Sequence, residues 1–226
     1  MDCKIELVEQ GSDAWLNLRR CRITCSRLGD VMANPKTGRY QDYQTQIAQE
    51  LNGIEQEEEE APWFAHGKAL EPRALAAYEW KYKQEIGTEP LLHDVFLVHN
   101  EYDWLGCSPD ALYPDHSEGV EVKCRELYKN YRHNVQLADH FELIDARKCV
   151  APNYRFQVQG AMWLTGFDSW WYVNYYEGED FEGEPQRRLH RVEIPRDQEL
   201  IDKMELRALA FIRECYEIAG KEYGQD

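Results

Sequence analysis

LGCSPDALYPDHSEGVEVKC, residues 105–124, sets an aspartate (Asp110) after a Ser-Pro pair and then crosses a polar turn over 114–119. It ends in the alternating segment Val120-Glu121-Val122-Lys123. Alternation at period two predicts a strand with both valines on one face and Glu121 and Lys123 on the other. The turn brings Asp110 back towards that charged face. Two carboxylates and a lysine form a kit for holding a hard divalent cation and activating water. The same residues also read as an ordinary turn, since proline presets φ at the second turn position, followed by a solvated strand face.

Outside this stretch, 226 residues with 43% hydrophobic and 12% aromatic content suffice for one large α/β domain, taken as residues 1–226. The N-terminus carries acid early and no run of about 18 apolar residues occurs, so the expectation is a cytoplasmic protein without membrane contact. Seven cysteines at irregular spacing contain no C-x-x-C pair and form no zinc pattern with the histidines, which predicts reduced thiols. The net charge of -16 disfavours a nucleic-acid partner. It does not exclude one. A chain of this length has a radius of gyration of about 17 Å, and salt screens charge over about 8 Å. Part of the excess is also local, in the run EQEEEE at 55–60, which reads as a solvated loop.

Taken in order, residues 4–8 predict a short strand, and Gly11-Ser12-Asp13 predicts a helix start with Trp15 and Leu18 following at helical spacing. Arg19, Arg20 and Arg22 precede Ile23-Thr24-Cys25-Ser26, where Thr24 or Ser26 is expected to cap a second helix and offer an anion site. A basic loop follows at 34–39, then a helix over 43–51 stopped by Asn52-Gly53. A long helix from about Trp63 ends near Gly87, with Glu71 close to its start on a stripe with Leu75, Tyr78 and Tyr82. There Glu71 serves either the helix dipole or a metal site as a third carboxylate. Strands at 95–98 and 104–107 form a hairpin. A helix carrying Arg125, Lys129 and Arg132 follows Lys123, and another runs to Gly166. On that second helix Gln157 and Gln159 stand about 200° apart, so only one of them can face a given site. Strands at 169–177 and 189–194 and a helix over about 197–220 complete an α/β (α+β) chain with a helix-covered mixed central sheet.

Six motifs occur in one order: W-x-x-x-R at Trp15 and Arg19, I-T-x-S ending at Ser26, G-K-x-x-E ending at Glu71, C-S-P-D ending at Asp110, E-x-K-C from Glu121, and Q-V-Q-x-x-M-W from Gln157. Together they resemble the lambda-type (YqaJ-like) viral exonucleases of the PD-(D/E)-x-K nuclease superfamily, over residues 9–177. The resemblance implies a restriction-endonuclease-like core and a Mg2+-dependent enzyme, with Mn2+ as substitute and one or two ions bound. It implies that the enzyme digests one strand of linear duplex DNA from a free 5′ end to mononucleotides, with a preference for 5′-phosphorylated ends. It also implies a homotrimer and a single-strand annealing protein as partner in phage-type recombination. Carried over by position, Asp110, Glu121, the Val122 carbonyl and Glu71 become the metal shell. Lys123 positions the attacking water, and Gln157 rather than Gln159 orients the site. Arg19, Ser26 and Ser108 become the terminal-phosphate pocket. Lys129 stands where the family has an arginine, with Arg125 and Arg132 as alternatives, and Lys36 falls at a groove-contacting position. The rivals are an endonuclease of the same fold, which needs no end-binding pocket, and a non-catalytic DNA-binding recombination protein, which needs no intact Asp110, Glu121 and Lys123.

Overall fold

The computed structural model describes residues 3–54, 62–142 and 144–224. The acidic run at 55–60 lies outside them. Two four-stranded mixed sheets replace the single expected sheet, in the orders β1-β3-β4-β2 and β5-β6-β7-β8. The first sheet comprises β1 (Cys3–Leu7), β2 (Ile23–Thr24), β3 (Val95–His99) and β4 (Leu105–Cys107). The second comprises β5 (Ala111–Leu112), β6 (Gly119–Cys124), β7 (Ser169–Glu179) and β8 (Pro185–Pro195). The division falls inside the opening stretch: Ser108, Pro109 and Asp110 carry the chain from β4 in one sheet to β5 in the other. A lone bridge between Leu92 and Leu112 ties the segment before β3 to β5.

The second sheet positions the site. β6 runs parallel to β7 with Glu121 opposite Tyr172, and β7 and β8 form a long antiparallel ribbon. The pleat sends alternate residues to opposite faces. Val120, Val122, Val173 and Tyr175 pack against Ala74, Leu75 and Tyr78 of the long helix α4 (Pro62–Ile86). Trp170 and Tyr172 face the larger core, which includes Val158 and Met162 of α6 (Pro152–Thr165). Glu121 therefore cannot belong to a solvated face; it is 3% exposed, and the surface reading of the charged strand fails.

Most other expected elements form, with shifted ends. Ser12 caps α1 (Asp13–Arg19), its hydroxyl accepting from Trp15 N at 3.3 Å. The helix expected after Thr24 is a turn of 3-10 helix, Cys25–Arg27, running into the four-residue α2 (Leu28–Val31). Neither hydroxyl caps it, because Thr24 Oγ1 and Ser26 Oγ are hydrogen-bonded to each other at 3.2 Å. Helix α3 (Gly38–Leu51) begins five residues earlier than expected and takes Arg39 out of the basic loop. Glu71 lies inside α4 rather than in its first turn, so the helix-dipole account of it does not hold. Helix α5 (Tyr128–Glu142) begins after Arg125, and α7 (Gln198–Ile218) closes the chain. All seven cysteines are free thiols, and no described helix is long and apolar enough to cross a membrane.

Candidate functional site

β5 is only two residues long and pairs with Gly119 and Val120, so β6 loses its neighbour beyond Val120 on that side. Asp110 fills the gap: Val122 N donates to Asp110 Oδ2 at 2.6 Å. In a strand the N–H and C=O of one residue face the same way, which turns the Val122 carbonyl to the same edge. On the α6 side, Lys123 Nζ and Gln157 Nε2 both donate to Glu121 Oε1, the latter at 2.6 Å. Gln159 takes no part. Fully buried, it donates to Pro195 O at 2.9 Å and accepts from Asp197 N at 2.8 Å, fastening α6 to the start of α7.

Electrostatics link these groups. Burial, then Glu121 and Glu71, push the Asp110 carboxyl well above the usual range. Burial and then Glu121 raise Glu71. Burial opposes the Lys123 ammonium, but Glu121 and Asp110 outweigh it and the pKa rises. Lys123 therefore keeps its proton through neutral pH. Asp110 and Glu71 thus hold their protons more tightly than free carboxyls do, the signature of negative charge packed without enough cation. Burial and the neighbouring Glu71 and Asp110 also push the Cys124 thiol up to about 12, so it is an inert neighbour rather than a thiolate ligand.

A second cluster adjoins the first through the Ser108-Pro109-Asp110 link. Trp15 Nε1 donates to Ser108 Oγ at 3.0 Å, and the Arg19 guanidinium lies 4.3 Å from the centre of the same indole ring. The structure thus brings Arg19 and Ser108 to one tryptophan. Arg19 also lines a polar pocket of about 70 Å³ with Thr24, the hydroxyl partner of Ser26, and with Arg22 and Arg27. Of the candidates for the fourth pocket position, Arg125 is held by Asn174 Oδ1 at 2.9 Å and Tyr172 OH at 2.7 Å. Lys129 and Arg132 stand exposed on α5, and Lys36 is exposed in the turn before α3.

Trp15 was legible as part of this cluster, because four-residue spacing places it on one helix face with Arg19. Tyr154 was not. Its ring lies 5.1 Å from Lys123 Nζ and 5.4 Å from the Arg125 guanidinium, and nothing in its local sequence marks it. Asp94 was also missed, although it lies close enough to Glu71 to raise its pKa further.

A mixed sheet with an aspartate at the strand edge and Glu-x-Lys on the next strand, covered by helices on both faces, defines a nuclease fold of the PD-(D/E)-x-K kind. Residues 14–168 match the YqaJ-like viral recombinase domain, and the chain belongs to that family. No curated protein matches it. Among solved structures it is similar to an alkaline exonuclease from Laribacter hongkongensis, at 25% identity and TM-score 0.72, over 92% of this chain and 95% of that one. The same enzyme in complex with dAMP matches at TM-score 0.71. A phage-related exonuclease from Haemophilus somnus 129PT shares the fold, with TM-score 0.67 at 21% identity over 90% of this chain and 97% of that one. Family and neighbours together support a phage-type exonuclease.

Proposed function

We propose that the chain is a Mg2+-dependent exonuclease that degrades one strand of linear duplex DNA from its 5′ end to mononucleotides, preferring 5′-phosphorylated ends. The observation that carries this is the buried Glu121, fixed by Lys123 and Gln157 beside the Asp110 edge. The donor set fits a magnesium site. Among the described residues no three or more of His, Cys, Asp and Glu converge into a ready cage. Magnesium does not need one, since it takes one or two carboxylates and fills its shell with waters and substrate phosphate. Asp110, Glu121 Oε2 and the Val122 carbonyl would hold it, with Glu71 acting through a bound water. When bound, the ion supplies a water of lowered pKa and polarises the phosphate.

The chain's own residues do the rest. Lys123, protonated, is a donor and not a base: it orients the attacking water and offsets charge on the phosphorane-like transition state. Gln157 fixes the Glu121 rotamer. The water oxygen bonds to phosphorus as the bond to the O3′ of the terminal nucleotide breaks. The released mononucleotide keeps its 5′-phosphate, and the shortened strand gains a new one. Each cut thus regenerates the group that Arg19, Ser26 and Ser108 are assigned to grip, with Lys129, Arg125 or Arg132 as fourth member and Lys36 on the groove. The dAMP bound by the Laribacter enzyme supports a mononucleotide product. The viral recombinase family supports a role in recombination; the homotrimer and the single-strand annealing partner are part of the proposal, carried over from the motif resemblance.

The test is digestion of linear and closed-circular duplex with Mg2+. Mononucleotides should accumulate from the linear form only, and EDTA should stop the reaction; rapid cutting of closed circles is the result an endonuclease would give. Asp110→Ala and Lys123→Ala should each lower the rate by about 10²-fold or more without changing the circular dichroism. Arg19→Ala should narrow the rate ratio between 5′-phosphorylated and 5′-hydroxyl ends; an unchanged ratio removes the pocket.

A further inference from the structure

Beyond the candidate site, α4, α5 and the β7–β8 ribbon enclose an open groove of about 730 Å³. Arg73, Lys81, Arg187 and Arg188 line it with Trp80, and Tyr131 and Tyr175 stand behind them. Among the described residues none lining it is acidic, in a chain of net charge -16. Trp80 is 84% exposed, the largest exposure of any aromatic side chain described. Glu177 at the edge holds two of the guanidinium groups in place, Arg73 at 2.8 Å and Arg187 at 3.3 Å, and accepts from Tyr175 OH at 2.7 Å. This is a buttressed row of cations beside an open indole face. Cations that track phosphates and aromatic faces that stack on bases are what binding of single strands requires.

We propose that this groove binds single-stranded DNA, with Trp80 as the stacking platform and Arg73, Arg187 and Arg188 on the phosphates. The strand's origin rests on the nuclease reading above, since digestion of one strand leaves its complement single. Arg73 follows Glu71 by two residues on α4, about 200° around the helix, and Trp80 follows it by nine, so the groove lies on the face of α4 turned away from Glu71. Charge favours nucleic acid, and stacking on an exposed tryptophan is indifferent to base sequence.

The experiment measures binding of a fluorescein-labelled oligothymidylate of about 12 nucleotides by anisotropy across a salt series, in EDTA, on the Asp110→Ala protein. Adding Trp80→Ala should weaken binding about 10-fold, and Trp80→Phe should restore most of it. Adding Arg187→Ala and Arg188→Ala should flatten the slope of log K against log salt by about 0.7 per cation removed. Unchanged affinity and slope in both variants overturn the proposal. So does unchanged affinity with a smaller particle by light scattering, which would make the groove a contact between copies of this chain. The nuclease reading fails separately, if protein with Asp110 intact leaves linear duplex uncut in Mg2+ while the oligonucleotide result stands.

Discussion

Gln157 and Gln159 sit two residues apart on α6 and serve opposite faces of it, one reaching Glu121 and the other tying α6 to Pro195 and Asp197. Gln157→Ala should therefore lower nuclease rate with little change in the urea midpoint. Gln159→Ala should cost about 1–3 kcal/mol by leaving buried backbone groups unpaired, read as an earlier urea midpoint. Equal effects on both readouts would remove the distinction. Asp110 carries a pH signature. Its folded pKa is raised by burial, Glu121 and Glu71, so the native state holds the proton more tightly than the unfolded chain. Its contribution is then fully present below the ordinary carboxylate pKa and is lost as pH rises through the raised value. In EDTA, Asp110→Asn should raise Tm at pH 8 and leave it nearly unchanged near pH 3. A variant no more stable at pH 8 would show that Asp110 is not strained by its neighbours.

At the scale of elements, β6 is a strand with a different neighbour on each side: β7 throughout, and β5 for only two residues. The early end of β5 exposes the edge that Asp110 occupies. Gly119, at the start of β6, makes the pairing with β7 sterically feasible. A Cβ there would meet the Trp170 indole at 2.2 Å, and that ring is fully buried. Gly119→Ala should cost about 1–3 kcal/mol through overpacking, measured by urea denaturation, and should lower activity in step because Glu121 moves with the strand. Normal stability would mean that Trp170 has room to yield.

For the whole molecule, charge acts in two opposed ways. A net charge of -16 repels itself in the compact state, whereas a DNA contact through cations is strengthened at low salt. Raising salt from about 50 to 500 mM, over which the Debye length shrinks roughly threefold, should therefore raise Tm while weakening oligonucleotide binding. A parallel fall in both would place the acidic charge in stabilising pairs rather than in a repelling surface.

The sequence alone determined the elements and the motif order. Period-two alternation set Glu121 and Lys123 on one face, the Ser-Pro turn placed Asp110 before them, and four-residue spacing joined Trp15 to Arg19. These are local relations, and local backbone geometry settles them. It also reduced the glutamines to a choice of one, because 200° cannot be shared. What tertiary structure decided is everything that depends on what packs over a face. The same strand face could have been solvated surface, and it became a buried centre only because α6 lies across it. Two sheets rather than one follow from the chain changing partners at Ser108-Pro109-Asp110, which no periodicity records. Tyr154 beside Lys123 and Trp80 in one groove with Arg187 and Arg188 are likewise invisible in sequence, since their neighbours come from strands and helices far along the chain.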